Sequence, residues 1–444
     1  MPDFLEEFAS SISLKKETLK EKILKGRPNP LNEDFEKHFD SYWVPLDNVD
    51  KYSVKPSDLG IMAVDSSVYT NLMSTGGIFY VVRSLAVCRN HERKLLETDA
   101  IFTKASFLES QRFIGRKMEL LEIQAAIDAL KSGFECGNVL IDGSLYGRVS
   151  HIPIETEIED QRLTLLQYFQ CYRELFDLCK KKEIMLIGVS KESRSTFYRD
   201  YVLKLIFSEA FDSLNSDMDP ADLQKLKPIF PEMLDKEEVA IAKFARLKQK
   251  YGKKLDKFEL IFEELRSPRP DYQLIMNHAK TLGYTRPLLL GPSIRMAERL
   301  NQCWRDPAKY VRTHFPITVR EKGKDFVKWA SDIIMNLVNF PGIISLYVML
   351  DTRDSPIRID LPSWDHTFAK TGWPKPIKFN IDELLKVLVT GYCGLDCYNL
   401  WLKNVDERVR LKKRVVDTIY FPFMERLFDA KIIRGRGYRR VRFP

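Results

Sequence analysis

Residues 61–67 read Ile61-Met62-Ala63-Val64-Asp65-Ser66-Ser67, and residues 139–144 read Val139-Leu140-Ile141-Asp142-Gly143-Ser144. Each is a short apolar run that ends in aspartate and small polar residues, the pattern of a buried strand passing into a turn. After the first come Gly76, Gly77 and the apolar runs 78–82 and 85–87, so this region predicts antiparallel strands joined by short turns. Helical spacing before the second run covers 113–130, and after it 163–182, followed by a strand at 184–189. Strand, strand, strand, helix, strand, helix, strand is a mixed sheet with crossover helices, whose functional groups gather at the carboxyl ends of parallel strands. Asp65 and Asp142 both fall at such ends.

Outward from this core the pattern changes twice. Residues to about Leu31 form an amphipathic helix, with Phe4, Phe8, Ile12, Leu19, Ile23 and Leu24 set among charges and Gly26, Pro28 and Pro30 ending it. Residues 195–335 are largely helical, with dense charge over 236–266 and no clear strands, and strands return at 343–350 and 356–361 as a hairpin around Arg353, Asp354 and Ser355. Closing helices are expected at 382–402 and 406–429. A chain of 444 residues exceeds the roughly 250 to 300 over which one core keeps growing. Four parts follow: an N-terminal helical extension (1–58), the first part of the core (59–194), a large helical insertion (195–335), and core completion with C-terminal helices and a basic tail (336–444).

Composition narrows the class. With 44% hydrophobic and 30% charged residues the chain is an ordinary folding sequence without low-complexity blocks. Apolar runs stay well short of the roughly 20 residues that a membrane span needs. The acidic start, Met1 to Glu7, lacks the basic-then-apolar order of a secretory signal, so the expected location is the cytoplasm. Seven cysteines lack the paired spacing of a zinc site and are expected as reduced core residues; Cys393 and Cys397, four apart, would share a helix face. The excess of 70 Lys and Arg over 62 Asp and Glu, a net +8, favours polyanionic partners.

An isolated carboxylate at the end of an apolar strand costs several kcal/mol to bury unless it is paired, hydrogen-bonded or bound to a cation. Either aspartate alone could simply cap its turn. Two at equivalent strand ends point to a shared site. The helix between them carries Glu119 and Glu122 on a stripe with Ala126 and Ala129, and the small alanines allow close approach to a sheet. One of these glutamates, Glu122 before Glu119, supplies a third oxygen ligand; the other reading is a solvated face. Such a set suits Mg²⁺ or Mn²⁺ rather than zinc, and hydrolysis of a phosphodiester is the chemistry it supports.

Lys191 and Arg194 follow the 184–189 strand and place cations beside the aspartates, unless they are only surface charges at a helix start. Arg358 and Asp360 share one strand face, where they pair or where Asp360 adds a carboxylate and Arg358 meets nucleic acid. His366 reads as structural. The tail interleaves Arg434, Arg436, Arg439, Arg440 and Arg442 with Tyr438 and Phe443, as a nucleic-acid contact or as a solubilising end.

In their order and spacing these motifs resemble the NurA nucleases of archaea, partners of a hexameric HerA-type translocase in DNA end resection. The residues that carry the resemblance are Ala63 to Ser67 with Tyr80 to Arg83, Leu121 and Glu122, Leu140 to Leu145, Gly188 to Arg194, and Ile357 to Leu361. The resemblance implies a ribonuclease H-like mixed sheet with flanking helices, a homodimer, Mn²⁺ or Mg²⁺ dependence, and 5′-to-3′ degradation of DNA. It makes Asp65, Glu122 and Asp142 the metal ligands and Lys191 a site cation. It also expects a tyrosine-proline stretch and a later histidine; residues 391–396 offer Tyr392 without the proline, and no histidine follows. A catalytically weakened DNA-binding or scaffold subunit is therefore the alternative. An actin-like phosphotransferase, suggested by the Asp-Ser-Ser turn, lacks the glycine-rich phosphate loops such an enzyme needs.

Overall fold

The structure, a computed structural model, describes residues 4–25, 29–104, 106–214, 218–235 and 237–434. The chain divides into two compact units, one formed by residues 1–41 and 199–269, the other by 42–198 and 270–444. Helices build the first, around an interior in which Phe207 packs against Phe230, Phe258 and Phe262. The second holds all the described strands.

In chain order these are β1 (Trp43–Pro45), β2 (Ile61–Leu72), β3 (Ile78–Cys88), β4 (His91–Ile101), β5 (Asn138–Asp142), β6 (Met185–Ser190), β7 (Gly283–Thr285), β8 (Leu288–Leu290), β9 (Pro341–Met349), β10 (Ile357–Thr367) and β11 (Lys375–Pro376). They lie in one mixed sheet in the order β1-β7-β9-β10-β6-β5-β2-β3-β4, with β8 joining β9 to β11. Only β2–β5 and β5–β6 are parallel; all other pairs are antiparallel. The mixed sheet expected from the sequence is thus present.

Alternation along β2 sorts its side chains between two layers. Ile61 and Ala63 join a core with the Asp382–Gly391 and Leu400–Val409 helices through Leu384, Leu388, Leu402, Val405 and Val409. On the opposite face Val68 packs with Tyr80, Phe113 and Leu121 of the Phe107–Lys131 helix. That helix starts at a capping box in which Ser106 and Glu109 satisfy each other's backbone amides. No described helix is long and apolar enough to cross a membrane, and all seven cysteines are free.

Several expectations are corrected. The third strand is β4, not residues 85–87, which continue β3. β4 reads His-Glu-Arg-Lys-Leu-Leu-Glu-Thr-Asp-Ala-Ile, an outermost strand whose charges hide its β character and discourage further pairing. Asp65 does not end a strand, because β2 runs on to Leu72; it sits just past Val64↔Ile141, the last pair with β5. The stretch 195–335 is not wholly helical: β7 and β8 lie within it, and only 199–269 belong to the helical unit. The expected 382–402 helix is broken at residues 392–399, where Gly394 takes a φ of +92° and Cys393 N–H bonds to Cys397 C=O at 2.9 Å. The two thiols therefore share a loop rather than a helix face.

Candidate active site

Close approach of two backbones sets the position of Asp142. It ends β5 beside Val189 of β6, and the Gly143 amide donates to the Val189 carbonyl at 2.7 Å. A side chain at Gly188 would collide with Gly143 O and Leu145 at 2.8 Å, so only glycine lets the turn lie on β6. Ser144 then caps the short Leu145–Val149 helix by accepting from the Gly147 amide at 3.0 Å. Asp360 of β10 fastens the same turn, accepting from Ser144 Oγ at 2.6 Å and the Tyr146 amide at 3.1 Å.

Asp65 and Glu122 arrive from opposite faces of β2. Asp65 shares the face of Ala63 and Ser67, while Ser66 points to the other side and donates its hydroxyl to Glu122 Oε2 at 2.8 Å. Asp65 is only 9% exposed and Glu122 only 2%. Burial pushes the Asp65 carboxyl up to about 7, with Asp142 and Asp406 adding to the rise and the Ser66 amide and Lys191 opposing it. Burial likewise pushes Glu122 up to about 8 against the pull of Arg148, the Asp65 charge reinforcing it. Arg148 donates to Glu122 Oε1 at 3.0 Å and to the Asp142 carbonyl at 2.7 Å. Glu119 faces elsewhere, receiving Tyr168 Oη at 2.6 Å and lying 3.3 Å from His151 Nε2.

On the Asp142 side Lys191 Nζ stands 3.5 Å from Oδ2 and 4.0 Å from the centre of the Tyr398 ring. Tyr398 Oη donates to Asp142 Oδ2 at 3.3 Å. Burial, then the Asp142 charge, holds that phenol far above its ordinary range, so it remains a donor. Tyr398 and Asp406 escaped the sequence reading. The available signal was Asn399, whose side chain caps the Leu400–Val409 helix and so separates Tyr398 from it; Asp406 then borders the buried stripe Leu402, Val405, Val409.

Other expected residues are placed elsewhere. Tyr392 Oη donates to Asp354 Oδ2 at 3.0 Å, in the β9–β10 turn and not at the aspartates. Arg358 is 3% exposed and donates to Asp360 through Nε at 3.0 Å and Nη2 at 3.1 Å, so it cannot meet DNA. Arg194 is exposed. His366 Nδ1 lies 2.9 Å from Ser363 Oγ, a structural contact. Arg436, Arg439 and Arg440 lie outside the described residues.

Four carboxylates, Asp65, Glu122, Asp142 and Asp406, thus interact with two cations, Lys191 and Arg148, an excess of negative charge made wholly of hard oxygen donors. Among the described residues no three acidic, histidine or cysteine side chains converge as a ready metal cage. Glu122 is held by Ser66 and Arg148, and Asp142 by Tyr398 and Lys191. Donor chemistry and charge still fit a divalent cation of the Mg²⁺ or Mn²⁺ kind.

A mixed sheet with paired aspartates at adjoining strands and a glutamate on the flanking helix is an acidic-site α/β architecture. Residues 59–411 match the NurA domain, and the chain belongs to the NurA family. Among solved structures it is similar to the NurA nuclease from Sulfolobus solfataricus, at 12% identity and a TM-score of 0.50, over 97% of this chain and 98% of that one. It is also similar to a crystal structure of NurA with manganese (16% identity, TM-score 0.44, 95% and 98% covered). A third is NurA bound to dAMP and manganese (15% identity, TM-score 0.40, 96% and 98% covered). No curated protein matches.

Proposed function

We propose that the protein is a divalent-metal-dependent DNA nuclease with a ribonuclease H-like core. The observation that supports this most is the joining of Asp65, Asp142 and Glu122 across β2, β5 and the Phe107–Lys131 helix, with Lys191 beside them. Asp65, Asp142 and Glu122 would hold Mn²⁺ or Mg²⁺, which when bound activates water and neutralises charge on the phosphodiester. Ser66 and Arg148 orient Glu122, and Tyr398 orients Asp142 by donating to it. Lys191, half exposed, is the cation available to a substrate phosphate. Family membership supports the remaining reading: a homodimer that degrades DNA exonucleolytically, with single-strand endonuclease activity, in end resection beside a hexameric HerA-type translocase. The completion of the core by the C-terminal part of the chain belongs to the same proposal.

A basic rim adjoins the site. The Leu411 amide donates to Ser67 Oγ at 2.9 Å, two residues along β2 from Asp65 and on the same face, about 7 Å away by strand rise. Arg83 anchors this segment by donating to the Val409 and Arg410 carbonyls. Lys412, Lys413 and Arg414 follow it and are exposed. They form the proposed phosphate track, together with Arg194. Lys412→Ala with Arg414→Ala is expected to weaken DNA binding equally for all sequences. The slope of log affinity against log salt should fall by about 0.7 to 0.9 for each phosphate no longer neutralised. An unchanged slope in titrations at several salt concentrations would remove these residues from the track.

The test of the function is cleavage of end-labelled single- and double-stranded DNA with Mn²⁺, Mg²⁺ or chelator. Metal-dependent degradation is expected, and chelator abolishes it. No cleavage with either ion, even with a translocase partner added, would leave a DNA-binding or scaffold subunit as the better account.

A further inference from the structure

We infer that Arg148 is the positioning residue of the acidic site, linking Glu122 to the backbone of Asp142 and, together with Ser66, fixing the orientation of the Glu122 carboxylate. The inference rests on the nuclease reading above. One guanidinium nitrogen, Nη2, donates both to Glu122 Oε1 at 3.0 Å and to the Asp142 carbonyl at 2.7 Å, while Nη1 lies 3.5 Å from Tyr172 Oη. The residue is 6% exposed. A buried guanidinium is costly unless its donors are matched, so its presence behind the carboxylates needs a reason beyond packing. A planar fork can serve the helix side chain, the strand-end carbonyl and the tyrosine together; a lysine ammonium on a flexible stem lacks that fixed geometry.

The surroundings are shaped to admit it. Gly143 adopts a φ of +111°, and a Cβ there would stand 3.4 Å from Arg148 Nη2. Arg148 lies on the helix capped by Ser144, whose hydroxyl Asp360 in turn accepts, so its starting point is fixed to β10. With Oε1 taken, the other carboxylate oxygen receives Ser66 Oγ, from the residue directly after Asp65. Both carboxylate oxygens of Glu122 are therefore held, Oε1 by Arg148 and Oε2 by Ser66, so its orientation is fixed from two sides. Outer partners that orient a ligating carboxylate typically change metal affinity about 10- to 100-fold when removed.

The experiment is calorimetric titration of the full chain with Mn²⁺ in a double-mutant cycle. Arg148→Met is expected to weaken Mn²⁺ binding about 10- to 100-fold, and Arg148→Lys less, because charge is retained without the fork. In a Glu122→Gln background the same substitutions should each change affinity less than about threefold, since the carboxylate they position is gone. A general loosening of the fold would instead produce equal losses in both backgrounds, and that result overturns the inference. So does a folded Arg148→Met protein with unaltered affinity. If Arg148→Met does not fold, the Arg148→Lys cycle decides by the same comparison. A wild type that binds Mn²⁺ and cleaves DNA while Arg148 proves indifferent overturns this inference alone; a wild type that neither binds nor cleaves overturns the nuclease reading with it.

Discussion

Asp65→Asn is expected to slow DNA cleavage about a thousandfold or more while making the metal-free protein more stable at pH 8. The first effect follows from losing a ligand charge that contributes several kcal/mol of transition-state stabilisation through the ion, each 1.4 kcal/mol or so being tenfold in rate. The second follows from burial. Asp65 rises from 3.8 to about 7 in the fold, so between those values the folded state binds more protons than the unfolded chain. Its favourable contribution is complete below about pH 4 and is lost as pH rises through 7. Glu122, raised from 4.5 to about 8, acts in the same direction with a window extending one unit higher. Asparagine keeps the acceptor for the Ser66 amide, which lies 2.7 Å from Oδ1, but carries no charge. Urea unfolding in chelator should therefore show Asp65→Asn more stable than the parent by on the order of 1 to 3 kcal/mol at pH 8, a smaller difference at pH 5, and near-equal stability at or below about pH 4. Mn²⁺ should reverse the order by stabilising the parent alone. A variant less stable than the parent in chelator at pH 8, or one that cleaves normally, would contradict the assignment.

The legible parts of this chain are those in which local pattern and tertiary role coincide. Ile61 to Val64 and Val139 to Ile141 are buried on both faces, so their apolar runs announce strands and expose the aspartates that follow. Glu122 stands out because Ala125, Ala126 and Ala129 beside it are wholly buried and bring the helix onto the sheet. What escaped detection depends on contacts remote in sequence. Tyr398 belongs to the site because its loop crosses to Asp142, 256 residues away, and the nearer-looking Tyr392 is drawn to Asp354 instead. Arg148 is the one charge in the short, largely apolar Leu145–Val149 helix, and only the fold shows which carboxylate it meets. β7 and β8 have three residues each, too short for periodicity to reveal, and gain strand character from β9. β4 was hidden by its charges, which an outermost strand can carry without cost to the core.

Asp360→Ala should be among the most destabilising single substitutions in the molecule, at roughly 3 kcal/mol or more, because it leaves a buried guanidinium without its carboxylate. Asp360 is 1% exposed and Arg358 3%, and the carboxylate accepts from Arg358, Ser144 Oγ and the Tyr146 amide. Arg358 also lies over the rings of Tyr146 and Phe197, 5.9 and 5.3 Å from their centres, so it cannot swing out to water when its partner is lost. Asp271 charge reaches Arg358 as well, which keeps the loss towards the lower end of the roughly 3 to 5 kcal/mol typical of broken buried pairs. Replacing both partners, Arg358→Met with Asp360→Leu, should cost less than Asp360→Ala alone, since no charge is stranded. The same comparison separates structure from DNA binding. If Arg358 contacted phosphate, Arg358→Met in the double variant would lower the salt dependence of DNA binding; a buried pair predicts an unchanged slope and a lowered unfolding midpoint. Because Asp360 also fastens the turn after Asp142, cleavage by Asp360→Ala should fall even at temperatures where the variant remains folded. A loss below about 1 kcal/mol in Asp360→Ala would mean that the Arg358 charge reaches solvent, and would return it to the candidate DNA contacts.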